Sequence, residues 1–391
     1  MSDGRSSAGL VHGMGRELAE PDWDPLTSDE VSSVLAHYER PGGNAGAVVV
    51  TWRSPRPMSA AALVRHGGAA VFVKRHHMSV RASAQLAVEH AFARHLRAGG
   101  LPVPAAARTT ARATTVECGD FAYEVHEVAV GADLYRDAVS WSPFTSHGHA
   151  WNAGAALARL HRAAEGFPLP ARAPGVLTGS CAVITAADPL AEVTRMLTRR
   201  PGLARYLSER RWRGDLARHH LPAIRRAAPL LNKLPRLWGH GDWHPSNLTW
   251  TSDAPDADVA AVFDFGLSNR TFAVHDLATA IERCTVSWLD LADHGRAGAD
   301  LDAVDALIDG YQTVRPLGAV ERAALPEVLP VVHLEYALSE TEYFADVVRS
   351  PPNADLAYDG YLLDHARWFA GPEGSALLTH LRTLTVPGTR S

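Results

Sequence analysis

Two short stretches constrain this chain more than anything else in it: His240-Gly241-Asp242-Trp243-His244-Pro245-Ser246-Asn247 and, farther on, Asp264-Phe265-Gly266. Between them, Leu248-Thr249-Trp250-Thr251 reads as a short strand. Residues 252–258, with three Asp and a Pro, read as a turn, and Val259-Ala260-Ala261-Val262-Phe263 as a second strand. Strands joined by a short turn pair antiparallel, so the start of the first lies beside the end of the second. Asn247 and Asp264 therefore reach the same end of one hairpin. Asp242 lies five residues before Asn247, across a loop set by Gly241 and Pro245, and can point into the same space. One amide oxygen and one carboxylate suit a magnesium ion that keeps some of its waters. A further carboxylate that is not a ligand matches a base for a hydroxyl proton, while the metal neutralises phosphates.

At 391 residues the chain is long enough for two lobes and a substantial core. With 46% hydrophobic and 21% charged residues it is globular rather than disordered. A net charge of −5 argues against a nucleic-acid partner, which calls for a basic surface. The three cysteines, Cys118, Cys181 and Cys284, are far apart and lack CxxC spacing, which fits a reducing compartment better than a disulfide framework. The sequence has no run of eighteen apolar residues and no secretory h-region, so the expectation is a cytoplasmic protein with no membrane partner.

HGDWHPSN followed by VFDFG resembles the aminoglycoside phosphotransferase and choline kinase family, whose pattern is H-G-D-x-x-x-x-N followed by I-D-F/W. The resemblance implies Asp242 as catalytic base, Asn247 and Asp264 as magnesium ligands, and His240 as support for the loop. It also implies a fold shared with protein kinases: α+β and bilobal, with an N-terminal antiparallel sheet lobe and a mainly helical C-terminal lobe. The nucleotide, ATP or GTP, would lie between them. By the same resemblance, adenine would bond main-chain groups near Glu127 and Ala129, and Asp276 would brace the catalytic loop. Asp276 also reads as the N-cap of a helix running to about Leu291.

Taken in order, residues 1–25 lack periodicity and read as a flexible or loosely docked extension, residues 26–130 as the nucleotide-binding lobe, and residues 131–391 as the catalytic and acceptor-binding lobe, with Gly131 at the boundary. Thr27 and Glu30 form a capping-box pattern at the start of a helix. Pro41-Gly42-Gly43-Asn44-Ala45-Gly46 then precedes a strand. Gly43 and Asn44 in this loop are candidates for covering nucleotide phosphates with backbone N–H groups. Lys74 ends an apolar strand. In the following helix, 83–98, Glu89 falls on the stripe of Leu86, Phe92 and Leu96. A buried carboxylate needs a cation. Lys74 is the expected partner, and the pair would orient the nucleotide phosphates.

Residues 190–231 are helical and rich in Arg, with Arg199-Arg200, Arg210-Arg211 and Arg225-Arg226. This region reads as a solvated face, with a site for an anionic acceptor as the sharper alternative. Glu335, Glu342 and Asp346 share a helical face beside Tyr336 and Tyr343. That face reads as ordinary wet surface or as a site for the amino group of an acceptor. His161 reads as a core histidine that could also support the loop.

Three rival readings are weaker. A metallohydrolase built on His240, Asp242 and His244 leaves Asn247 and Asp264 unexplained. A protein Ser/Thr kinase would carry a Lys where this chain has His244, and a long activation segment ending in Ala-Pro-Glu. A nucleotide-binding pseudokinase would be expected to have lost one of Lys74, Glu89, Asp242, Asn247 or Asp264, and all are present. The expectation is a magnesium-dependent small-molecule kinase. Its acceptor would be an aminoglycoside or another hydroxylated antibiotic, with a resistance role, or else an aminosugar or an amino alcohol such as choline or homoserine.

Overall fold

The computed structural model describes residues 10–39 and 46–384. Five antiparallel strands form one sheet in the spatial order Val49–Arg53, Ala60–His66, Ala69–His77, Phe121–Glu127, Thr115–Cys118. Lys74 therefore stands on the central strand, opposite Ala61 on one side and Glu124 on the other. Helix Ser28–Leu35 starts with the expected capping box between Thr27 and Glu30. It buries Val31, Val34 and Leu35 against Val64, Val73, Tyr123 and Val125 of the sheet. Helix Ser83–Ala98 turns Phe92 and Leu96 into the larger core of the second lobe. Alternation in the strands and a one-sided stripe in each helix thus produce a sheet with a helical partner on its apolar surface.

The rest of the chain is mainly helical. The long helix His147–Ala163 packs along Leu301–Val314. The chain crosses from sheet to helical body at Gly131, whose φ is +93°. A side chain there would collide with Trp250 O at 2.5 Å, so only glycine fits. Ala132 pairs with Trp250, and Thr249 Oγ1 donates to Val130 O at 2.5 Å. The crossing segment is thereby tied to the hairpin that carries the sequence motif.

At the periphery, residues 10–25, read as flexible or loosely docked, form a small hairpin of Val11–His12 and Leu18–Ala19 that is docked at several points. His12 N donates to Pro55 O, Arg16 pairs with Asp290, and Trp23 Nε1 donates to Tyr343 Oη at 3.0 Å. The acidic face is neither wet surface nor a free site over Glu335, Glu342 and Tyr343, and only Asp346 stays partly exposed. Glu335, Glu342, Asp346 and Tyr343 do share a helical side, but Arg-rich helices and the N-terminal segment pack on it. Glu335 accepts from the N–H groups of Ala182 and Val183, Glu342 pairs with Arg200, Asp346 pairs with Arg205, and Tyr343 donates to Asp22. Glu335, Glu342 and Tyr343 are buried. Helical spacing correctly grouped the acids, but it carries no information about what a distant segment brings against them.

Candidate active site

The hairpin forms as its sequence suggests. Leu248–Trp250 pairs antiparallel with Val259–Val262, Leu248 lies opposite Val262, and Phe263 N donates to Asn247 O at 3.1 Å. Asn247 and Asp264 thus flank one end. Asp264 has φ +60°, a left-handed conformation that costs a non-glycine residue about 1–3 kcal/mol and concentrates at functional sites. One oxygen, Oδ2, meets Lys74 Nζ at 2.8 Å across the interlobe cleft. Burial alone would raise the Asp264 carboxyl, but Lys74 holds it below the ordinary range. Burial likewise disfavours the Lys74 charge, and Asp264 and Glu124 together raise its proton affinity.

The loop before the hairpin is fixed from behind. Gly241 has φ +75°, and a side chain there would strike Leu267 O. The Asp276 carboxylate accepts from the N–H groups of His240 and Gly241, both at 2.7 Å, and bonds His161 Nε2 at 3.1 Å. His161 in turn meets Tyr311 Oη at 2.7 Å. Burial opposes ionisation of Asp276, but these donors bring its pKa down to about 2. Asp276 lies inside helix Ala273–Thr285 rather than at its N-cap, which is Phe272. Its bonds run to the loop instead of to its own helix, and His161, read mainly as a core histidine, supports the loop through it. His240 Nε2 donates to Phe263 O at 2.9 Å and its Nδ1 accepts from Asp242 N at 3.2 Å, so both ring nitrogens are engaged.

Asp242 lines a cavity that it shares with Trp141, Tyr336 and Glu340. Its Oδ1 is paired with Arg283 and lies 3.5 Å from His244 Nε2. Burial would raise this carboxyl, but Arg283 and His244 hold it well below the usual carboxylate range. Arg283 is itself buried, with its guanidinium 4.7 Å from the ring of Trp141 and 4.8 Å from that of Tyr336. Asn247 Nδ2 donates to Asp242 O at 2.9 Å and meets His244 Nε2 at 3.1 Å. The amide nitrogen is thereby engaged, and the carbonyl oxygen is left for a cation.

Two cavities meet at this point. One, under the sheet, is lined by Phe72, Glu124, Glu127, Val128, Ala129 and Phe265, among others. The other, toward the helical lobe, is lined by Asp242, Trp141, Tyr336 and Glu340. Arg56, Ser59, Lys74, Asn247 and Asp264 line both. Glu340 is buried, and its Oε2 has no hydrogen-bond partner among the described residues. Burial pushes its pKa up to about 8, against an opposing pull from Arg283.

Lys74 and Glu89 do not pair. Glu89 is buried and does require cations, but Arg81 Nη1 at 3.1 Å and Arg172 Nη2 at 2.8 Å supply them. Arg81 sits just ahead of the helix, a local signal that was available. Arg172 comes from the other lobe and left none. Gly43 and Asn44 lie outside the described residues. Among the described residues, the loop at the mouth of the cleft is residues 54–59, between the first two strands of the sheet. Glu127 and Ala129 line the sheet-side cavity, with the Glu127 side chain held by Arg97 at 2.6 Å. Sequence reasoning missed Arg283, Glu340 and Glu124. Glu124 gathers His76, His90 and His126 at 2.9, 2.6 and 3.0 Å.

A five-strand sheet set over a helical body, with an amide and a carboxylate on a hairpin at the seam, defines the protein-kinase-like fold class. Residues 59–317 match the model of the phosphotransferase enzyme family, APH, and the chain belongs to that family. It is 31% identical over 188 residues to a homoserine kinase of Azorhizobium caulinodans, covering 48% of this chain and 49% of that protein. It is 30% identical over 191 residues to a homoserine kinase of Phenylobacterium zucineum, covering 49% and 50%. The chain thus spans about half the length of the curated relatives it matches. Its fold is similar to that of an aminoglycoside phosphotransferase from Alicyclobacillus acidocaldarius, at TM-score 0.53 and 18% identity over 95% of this chain and 98% of that one. A spectinomycin phosphotransferase solved with ADP and spectinomycin gives TM-score 0.52 and 10% identity over 93% and 100%.

Proposed function

We propose that this protein transfers the γ-phosphoryl group of ATP or GTP to a hydroxyl of a small acceptor that also carries an ammonium group. The observation that carries this reading is the meeting of two cavities at Lys74, Asn247 and Asp264, with Asp242 on the acceptor side only. The nucleotide base would occupy the sheet-side cavity. Because the Glu127 N–H is bonded to Ala105 O, Ala129 is the better main-chain donor for it. Lys74 would turn to the α- and β-phosphates.

The donor set suits magnesium, since Asn247 offers an amide oxygen, Asp264 a carboxylate, and no soft ligand intrudes. Magnesium held there would neutralise charge on the phosphates as the bond to the leaving oxygen lengthens. Asp242 keeps one oxygen on Arg283, leaving the other to orient the acceptor hydroxyl and accept its proton. Its low proton affinity makes positioning the larger part of its work. Glu340 would take the acceptor's ammonium. This assignment, together with the names of the relatives, favours an amino alcohol such as homoserine, with an aminosugar or aminoglycoside as the bulkier alternative.

The variants separate these roles. Asp242→Ala should lower turnover by about 10²–10⁴-fold and leave magnesium-dependent nucleotide binding intact. Asp264→Ala should weaken that binding itself. Calorimetric titration of both variants with nucleotide, with and without magnesium, provides the check. Equal loss of binding in both would contradict the division of labour.

A further inference from the structure

Residues 54–59 join the strands Val49–Arg53 and Ala60–His66 at the mouth of the cleft and read Ser-Pro-Arg-Pro-Met-Ser. A loop that cradles phosphate does so with successive backbone N–H groups, usually with glycine allowing close approach. This loop has no glycine, and its two prolines have no N–H to offer. Beside Ser59, which lines both cavities, it presents one guanidinium. Arg56 Nη1 donates to Ala138 O at 2.5 Å and lies 2.9 Å from His12 Nδ1, and Nη2 lies 3.5 Å from Tyr135 O. All three are neutral acceptors, because burial and Arg56 together lower the proton affinity of His12. Among the described residues no carboxylate lies within ion-pair distance of Arg56. Asp133, Asp137, Asp242 and Asp264 act on it only from farther away, and burial works against its charge.

A half-buried guanidinium with only neutral partners is an unused binding group. It lines both cavities, alongside Lys74, Asn247 and Asp264. We propose that Arg56 binds the γ-phosphate of the nucleotide and stabilises its charge during transfer, in place of a glycine-rich backbone cradle. The inference rests on the kinase reading. In the step, the acceptor oxygen forms its bond to the γ-phosphorus as the bond to the β–γ bridging oxygen breaks. The nucleoside diphosphate leaves, and the hydroxyl proton goes to Asp242.

The test needs no acceptor. Binding of the non-transferable β,γ-imido triphosphate and of the diphosphate, each with magnesium, is measured by calorimetry on the full chain. The proteins are wild type, Arg56→Lys and Arg56→Gln, with thermal melts of each. The wild type is expected to prefer the triphosphate. Arg56→Gln should lose about tenfold in triphosphate affinity, about 1.4 kcal/mol, with little change for the diphosphate, and Arg56→Lys should fall between. An unchanged preference in a folded Arg56→Gln protein overturns the proposal, and so does equal loss for both nucleotides. A wild type that binds neither nucleotide overturns the kinase reading and this inference with it. Wild-type binding of both with no preference overturns this inference alone.

Discussion

At Glu340 a single carboxyl group ties the cavity that Asp242 also lines to stability. Its ordinary pKa is 4.5, and in the folded protein burial raises it to about 8. Between those values the folded chain holds a proton that the unfolded chain has released. Stability from this group is therefore lost as pH climbs through that window. Glu340→Gln has no such proton to lose. Its melting temperature should gain on the wild type as pH is raised from 5 to 8.5, and a constant gap would rule the assignment out. The same variant should raise KM for an aminated acceptor by about tenfold or more, while its deaminated analogue responds little. Glu340 was hidden in the sequence for a physical reason. It lies one helical turn beyond Tyr336, on a different side from Glu335 and Glu342, and nothing local shows which side a cavity will meet. Asp242, Asn247 and Asp264 were legible because one hairpin fixes their placement within a short stretch. Arg283, which grips Asp242, arrives on a later helix and was not.

The elements show the same divide. The Thr27–Glu30 cap, the helix Ser83–Ala98 and the hairpin register follow from neighbouring residues, and the sequence located them. The Arg-rich helices Pro189–Leu197, Pro201–Ser208, Trp212–His219 and Leu221–Leu231 offered two readings, and the structure adds a third. Two arginines of this region, Arg200 and Arg205, neutralise acids of the Leu334–Glu342 helix and its continuation. Arg200 and Glu342 are both buried, whereas Arg205 is largely open to solvent and Asp346 partly so. Arg200→Ala should therefore destabilise by about 3–5 kcal/mol, because it strands a buried carboxylate. Arg205→Ala should cost less than about 1 kcal/mol. Urea unfolding of the two variants distinguishes these values, and nucleotide affinity should be unchanged in both. Equal effects would mean that the buried pair is not what fastens these helices.

Across the whole molecule, the lobes are joined by polar contacts that gather around the cleft. Lys74 reaches Asp264, Arg172 reaches from the helical lobe to Glu89, Arg81 donates to Leu177 O, and the N-terminal segment links the 54–59 loop to Tyr343. The bilobal architecture was legible because the motif placed the chain in a family, and the family model covers residues 59–317. The Lys74–Glu89 pairing was not legible. Choosing among Lys74, Arg81 and Arg172 as partners for Glu89 depends on how two lobes close on each other, which no local pattern encodes. In the structure Lys74 is paired with Asp264 across the cleft, and Asp242 lines the cavity toward the helical lobe. The most direct test of the central claim is magnesium-dependent release of nucleoside diphosphate across a panel of hydroxylated amines that includes homoserine, for wild type beside Asp242→Ala. On the kinase reading, release should depend on one class of aminated acceptor and nearly vanish in the variant. Acceptor-dependent release at the same rate in both proteins would contradict it.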